Sequence, residues 1–84
     1  MTLRTDEFRS WLARTKNIGQ RSRGDICSRL RRVSSMVKDL DFQDEKIVGE
    51  KVHQQLMDSG LSPSVRSQLK RAAILYTEFL RSLG

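Results

Sequence analysis

Apolar residues recur along this chain at helical spacing, and no stretch alternates apolar with polar residues over the length of a strand. Phe8, Trp11 and Leu12 stand at i, i+3 and i+4, which puts them on one face of a helix predicted over residues 6–15. Thr5 is its expected N-cap. Asp6 and Glu7 occupy the first turn, where the positive end of the helix dipole favours acids. Asn17-Ile18-Gly19 breaks the pattern, with Gly19 expected to take a left-handed conformation. Ile26, Leu30, Val33, Val37 and Leu40 then form the most regular stripe in the chain. They predict a second helix over residues 22–40, with Ser22 as N-cap and Asp25 as the partner in a short-armed capping box.

A third helix is expected over residues 44–58, capped by Asp44. Val48, Val52 and Leu56 make its apolar ladder, Ile47 and Met57 flank it, and Gly49 inside it costs up to about 1 kcal/mol relative to Ala. Gly60 ends that segment. Ser62-Pro63 opens a fourth helix, over residues 63–82, with Ser as cap and Pro at the first helical position, where a missing N–H is harmless. Its stripe is Val65, Leu69, Ala72, Tyr76, Phe79 or Leu80, and Leu83. Ala72 and Ala73 are small enough for a neighbouring helix to approach closely, and the length of this segment makes it the expected central strut. Each stripe is one-sided and needs the others, so the expected fold is all-α: a compact bundle of four helices forming one domain over residues 1–84.

The chain has one cysteine, Cys27, and one histidine, His53, so neither an internal disulfide nor a Cys/His zinc site can be assembled, and no metal is expected. The longest apolar run, residues 72–76, is far too short to span a bilayer, and the first ten residues carry no apolar signal core. A cytoplasmic protein with no membrane partner is the expectation.

Catalysis by this chain is not expected. His53 stands among Lys51, Gln54 and Gln55, off the apolar face of its helix, with no serine or cysteine arrangement to serve. Cys27 beside Ile26 reads as a small apolar side chain. The acids Asp39, Asp41, Asp44 and Glu45 flank turns and helix starts, where capping explains them. There is no glycine-rich phosphate loop, so no nucleotide cofactor and no small-molecule substrate are expected.

Charge changes the picture most. Sixteen Lys and Arg against ten Asp and Glu leave a net charge of +6, unevenly spread. Residues 1–40 carry +6, residues 41–60 carry −3 and residues 61–84 carry +3. Arg21, Arg23, Arg29, Arg31 and Arg32 fall around the second helix, and Arg66, Lys70 and Arg71 lie on the fourth. These eight are the candidate nucleic-acid contacts. Two basic helices leaning on a common core can present one positive surface to a polyanion, most simply the phosphate backbone of double-stranded DNA. The competing view is that exposed helix faces are ordinarily charged, with Asp25 and Arg29 at i, i+4 forming a weak surface pair. A protein-interaction or homodimerisation module is the alternative, with the acidic third helix of one copy against a basic face of another and Trp11, Phe42 or Met57 as anchors. RNA binding is less favoured, because four of the five aromatics fall on core stripes and leave few stacking platforms.

Two stretches, Phe8-x-x-Trp11-Leu12 leading to Ser22-x-x-x-Ile26-x-x-x-Leu30-x-x-Val33, and Ser62-Pro63-Ser64-Val65-x-x-x-Leu69-x-x-Ala72-x-x-x-Tyr76-x-x-Phe79-Leu80, resemble the N-terminal core-binding (SAM-like) domain of phage integrases and other tyrosine recombinases. The resemblance spans most of the chain, although each motif is also a generic capped amphipathic helix. It implies an all-α domain that clamps one side of duplex DNA through basic residues on two helices. By position these match Arg23, Arg29, Arg31, Arg32, Arg66, Lys70 and Arg71. The recombinase catalytic domain is absent from this chain, and Tyr76 belongs to the core stripe rather than to any nucleophile.

Overall fold

The computed structural model of the chain describes residues 3–37 and 40–83. Four α-helices follow one another: α1 Thr5–Thr15, α2 Gln20–Met36, α3 Glu45–Leu56 and α4 Pro63–Leu83. The all-α, four-helix bundle expected from the periodicity is the fold observed. α4 is the hub, since it packs against each of the other three helices.

Two helix starts match their sequence signals. The Asp44 carboxylate accepts the N–H groups of Lys46 and Ile47 at 2.9 and 3.2 Å, and Ser62 Oγ accepts the N–H of Val65 at 3.3 Å. Each satisfies donors that the first turn of a helix cannot pair internally. The other two starts come earlier than the caps suggested. Thr5 is the first residue of α1, with Arg4 at the cap position and no side-chain cap. α2 begins at Gln20, two residues before Ser22, because the Gly19 carbonyl already accepts the N–H of Arg23 at 2.9 Å.

Gly19 is extended, with φ −65° and ψ 159°, as an N-cap residue should be. The left-handed turn between α1 and α2 is made by Asn17, at φ 53°. Asn is one of the few residues that adopts this region at modest cost. There the Leu12 carbonyl takes the N–H groups of both Lys16 and Ile18, each at 3.2 Å, which turns the chain toward α2. Gly60, at φ 79°, does take the left-handed conformation, in the connection between α3 and α4.

The expected second helix stops short of residue 40. Val37 is extended, and Lys38 and Asp39 lie outside the described residues. Val37 and Leu40 are nonetheless buried, as is Phe42 beyond them. Val37, Leu40 and Phe42 therefore join the core from beyond the end of α2.

The core contains the expected stripes: Phe8, Trp11 and Leu12; Ile26, Leu30 and Val33; Val48, Val52 and Leu56; Leu69, Ala72, Tyr76 and Phe79. Val65 and Leu80 are half-buried against it, whereas Leu83 is exposed. On α4 the buried face also takes in Ala73, Leu75 and Thr77, because a helix with three neighbours is covered over a wider arc than one stripe. The Thr77 hydroxyl is satisfied by donating to the Ala73 carbonyl at 2.9 Å.

All five aromatic rings join one cluster. Phe8 and Phe42 each meet Tyr76 edge-on, with centroids 5.2 and 4.8 Å away. Phe8 stacks on Trp11 at 6.1 Å, and Phe79 lies 5.6–5.8 Å from Phe8, Trp11 and Tyr76. Trp11 and Phe42, expected as possible partner anchors, are thus core residues, 7% and 5% exposed. An indole or phenyl ring buries too much apolar surface to be left out of so small a core. Of the three suggested anchors Met57, at the C-terminal end of α3, remains exposed, and Ile47 in the first turn of α3 is exposed too.

Candidate functional site

The eight candidate cations occupy distinct positions around the bundle. Ile26, Leu30 and Val33 turn one side of α2 inward, and Arg31 and Arg32 lie exposed on its outer side. Arg29 is half-buried at the edge of that side. Arg21 and Arg23 stand in the first turn of α2 and line a shallow depression of about 660 Å³ together with Arg9 of α1, Gln20 and Gly24. Arg23 is half-buried and partly committed, since its Nη1 donates to the Ile18 carbonyl at 2.7 Å. Arg9 was not singled out by the sequence. It is far from Arg21 and Arg23 along the chain, and the turn at Asn17 brings it beside them.

On α4, Arg66 and Lys70 line a groove of about 310 Å³ between α3 and α4, with His53, Leu56, Pro63 and Ser67. Both cations are half-buried. The Arg66 Nε–H is buried and finds no acceptor. Lys70 runs over the backbone of α3 at Gly49, where a Cβ on that glycine would come 3.3 Å from Lys70 Cε and 3.4 Å from Ile74 Cδ1. The side chains of α4 thus lie close over α3 at this position. Arg71, one residue further, is turned about 100° around α4 from Lys70 and is exposed. The depression and the groove share no residue.

Where the molecule neutralises its own charge, it uses other cations. Arg4 pairs with Glu7 at 2.6 Å, Lys16 with Glu78 at 2.8 Å, and Arg81 with Glu45. Lys16 also lies over the Trp11 ring, 5.7 Å from its centroid. None of the eight candidates forms an ion pair among the described residues, and the Asp25–Arg29 pair expected on α2 is not made. Asp25 and Arg29 stand one turn apart on a solvated helix, where such a pair contributes only a few tenths of a kcal/mol, about what ordering two side chains opposes.

The remaining groups considered for chemistry are separated. Cys27 is fully buried in the core as a free thiol. His53 is exposed on α3, away from the buried Val48, Val52 and Leu56. Among the described residues no helix is long and apolar enough to cross a membrane. No family model, curated protein or solved structure matches this chain.

Proposed function

We propose that this chain is a small non-catalytic helical module that binds the phosphate backbone of duplex DNA through the cations of α2 and α4. The observation that carries the proposal is the division of labour among the basic residues. Arg4, Lys16 and Arg81 are taken by the molecule's own carboxylates, while Arg21, Arg29, Arg31, Arg32 and Arg71 face solvent or its edge without an acidic partner among the described residues. A folded chain that leaves guanidinium groups in this state keeps both their charge and their donors available to phosphate oxygens.

The burial of all five rings favours a duplex over single-stranded RNA, because stacking platforms for splayed bases are lacking. Arg21, Arg31 and Arg32 are exposed, which supports contact with the backbone, a kind of contact that positions a protein on DNA without selecting sequence. The resemblance to the integrase core-binding domain supports a duplex as the polyanion.

The test is a salt titration of binding to a random-sequence duplex. Log affinity is expected to fall linearly with log salt, with a slope of about −0.9 for each phosphate engaged. Charge reversal by Arg31→Glu with Arg32→Glu is expected to weaken binding to all sequences alike. No binding at about 50 mM salt, where backbone contacts are strong, overturns the proposal.

A second reading rests on Ile47 and Met57, which are 61% and 58% exposed. In it, α3 of one copy meets a basic face of another, and the chain acts as an interaction or homodimerisation module. Sedimentation separates the two: a concentration-dependent dimer that Ile47→Lys abolishes, in a chain that does not bind duplex, favours this reading.

A further inference from the structure

We infer that the groove between α3 and α4 is a binding site for a single phosphate group, held by Arg66 and Lys70 with His53 at the rim. The groove is small-molecule-sized, about 310 Å³. Its nitrogen-bearing lining consists of a guanidinium, an ammonium and an imidazole, with the Ser67 hydroxyl beside them and no carboxylate among the lining residues. Arg66 and Lys70 are one helical turn apart, so their like charges repel. No acid among the described residues relieves them.

The Arg66 Nε–H is buried without an acceptor, and no carboxylate among the described residues holds the guanidinium. Lys70 is not a free surface lysine. Its stem packs over Gly49 of α3, and the residue is half-buried. A tetrahedral dianion suits this lining. It neutralises two neighbouring cations and brings several oxygens to a narrow space. A carboxylate offers fewer acceptors and half the charge.

The outer face of α2 differs in kind. There Arg31 and Arg32 stand exposed outside any groove. The groove binds one phosphate group whether or not the chain grips duplex DNA, so its test needs no duplex. The same group can be inorganic phosphate, the end of a small phosphate ester, or one phosphate of a nucleic-acid backbone.

The experiment is an amide-resolved NMR titration of the full chain with sodium phosphate against sodium chloride at matched ionic strength. Saturable shifts are expected around His53, Leu56 and residues 64–70, with a dissociation constant in the millimolar range or below. Arg66→Gln and Lys70→Gln are each expected to weaken binding by about tenfold or more, the effect of losing one charge-assisted hydrogen bond. Arg66→Lys, which keeps the charge but not the planar guanidinium, is expected to weaken it as well. Arg14→Gln on α1 is expected to leave it unchanged. Should Arg66→Gln fail to fold, Lys70→Gln, nearer the solvent edge, decides.

Competition then identifies the source. Displacement by a nucleoside monophosphate but not by the parent nucleoside points to a small ester. Displacement by a short duplex points to a backbone phosphate, and displacement by neither points to the free ion. Shifts that spread over the α2 arginines without saturating, or wild-type phosphate binding in both Arg66→Gln and Lys70→Gln, overturn the inference.

Discussion

The hydroxyl of Tyr76 accepts the backbone N–H of Arg4 at 3.0 Å, joining the start of α1 to the middle of α4 across 72 residues of chain. The same ring is the meeting point of Phe8, Phe42 and Phe79. Tyr76 is 1% exposed, so its phenol is a structural acceptor buried in the bundle. Tyr76→Phe keeps the ring packing and removes that acceptor. It is expected to lower stability by about 1 kcal/mol, a fall in Tm of roughly 4–8 °C for a domain of this size, with the helical circular-dichroism signal unchanged. Tyr76→Ala also empties the centre of the aromatic cluster and is expected to cost about 3–5 kcal/mol.

Gly49 offers a case in which two effects oppose each other. Alanine would gain up to about 1 kcal/mol of helix propensity. Its Cβ would press on Lys70 Cε at 3.3 Å and Ile74 Cδ1 at 3.4 Å, both the far ends of flexible side chains. A shift of a few tenths of an ångström accommodates it. Gly49→Ala is therefore expected to be mildly stabilising, by about 0.5 kcal/mol in urea unfolding. Gly49→Val adds branches that the contact cannot absorb and is expected to destabilise by about 1–3 kcal/mol through separation of α3 from α4.

Asp44 caps α3 with two hydrogen bonds. Asp44→Ala is expected to lose about 1 kcal/mol, and Asp44→Asn, which retains an acceptor oxygen, much less. Native-state hydrogen exchange gives the sharper readout, since faster exchange is expected at Lys46 and Ile47 than across α4.

The Lys16–Glu78 pair is short, at 2.8 Å, yet both side chains are substantially solvated. Glu78→Gln is expected to change stability by less than about 1 kcal/mol, with the small effect fading as salt is added. Trp11, which lies under the same lysine, behaves oppositely. Trp11→Ala is expected to cost about 3–5 kcal/mol at any ionic strength, because the lost term is apolar burial and packing.

Neutralising the exposed α2 arginines one at a time gives a graded test of the duplex reading. Each of Arg31→Gln and Arg32→Gln is expected to make the log–log salt dependence shallower by about one where that residue engages a phosphate. Stability is expected to stay within about 0.5 kcal/mol of the parent, as for surface substitutions generally.

What was legible in the chain is what local physics governs. Apolar residues at i, i+3 and i+4 can be buried together only in a helix, so Phe8/Trp11/Leu12, Ile26/Leu30/Val33 and Val48/Val52/Leu56 named both the elements and the core. Asp44 and Ser62-Pro63 marked helix starts because a cap acts within three residues of itself. The length of α4 marked it as the hub. Other features follow from contacts between residues distant in sequence, and no local pattern carries them. Phe42 reads as a partner anchor until Tyr76 is beside it, and the expected second helix stops at Met36 while Val37, Leu40 and Phe42 still reach the core. Gly49 reads as a weak point of α3, and the closeness of Lys70 and Ile74 over it is set by packing alone. The basic residues read as one set, and packing sorted them: Arg21 and Arg23 beside Arg9, Arg31 and Arg32 on an outer face, Arg66 and Lys70 in a groove with His53. Periodicity says which side of a helix faces inward. Where the outward sides of four helices stand relative to one another depends on how the helices pack, and that is a property of the assembled core.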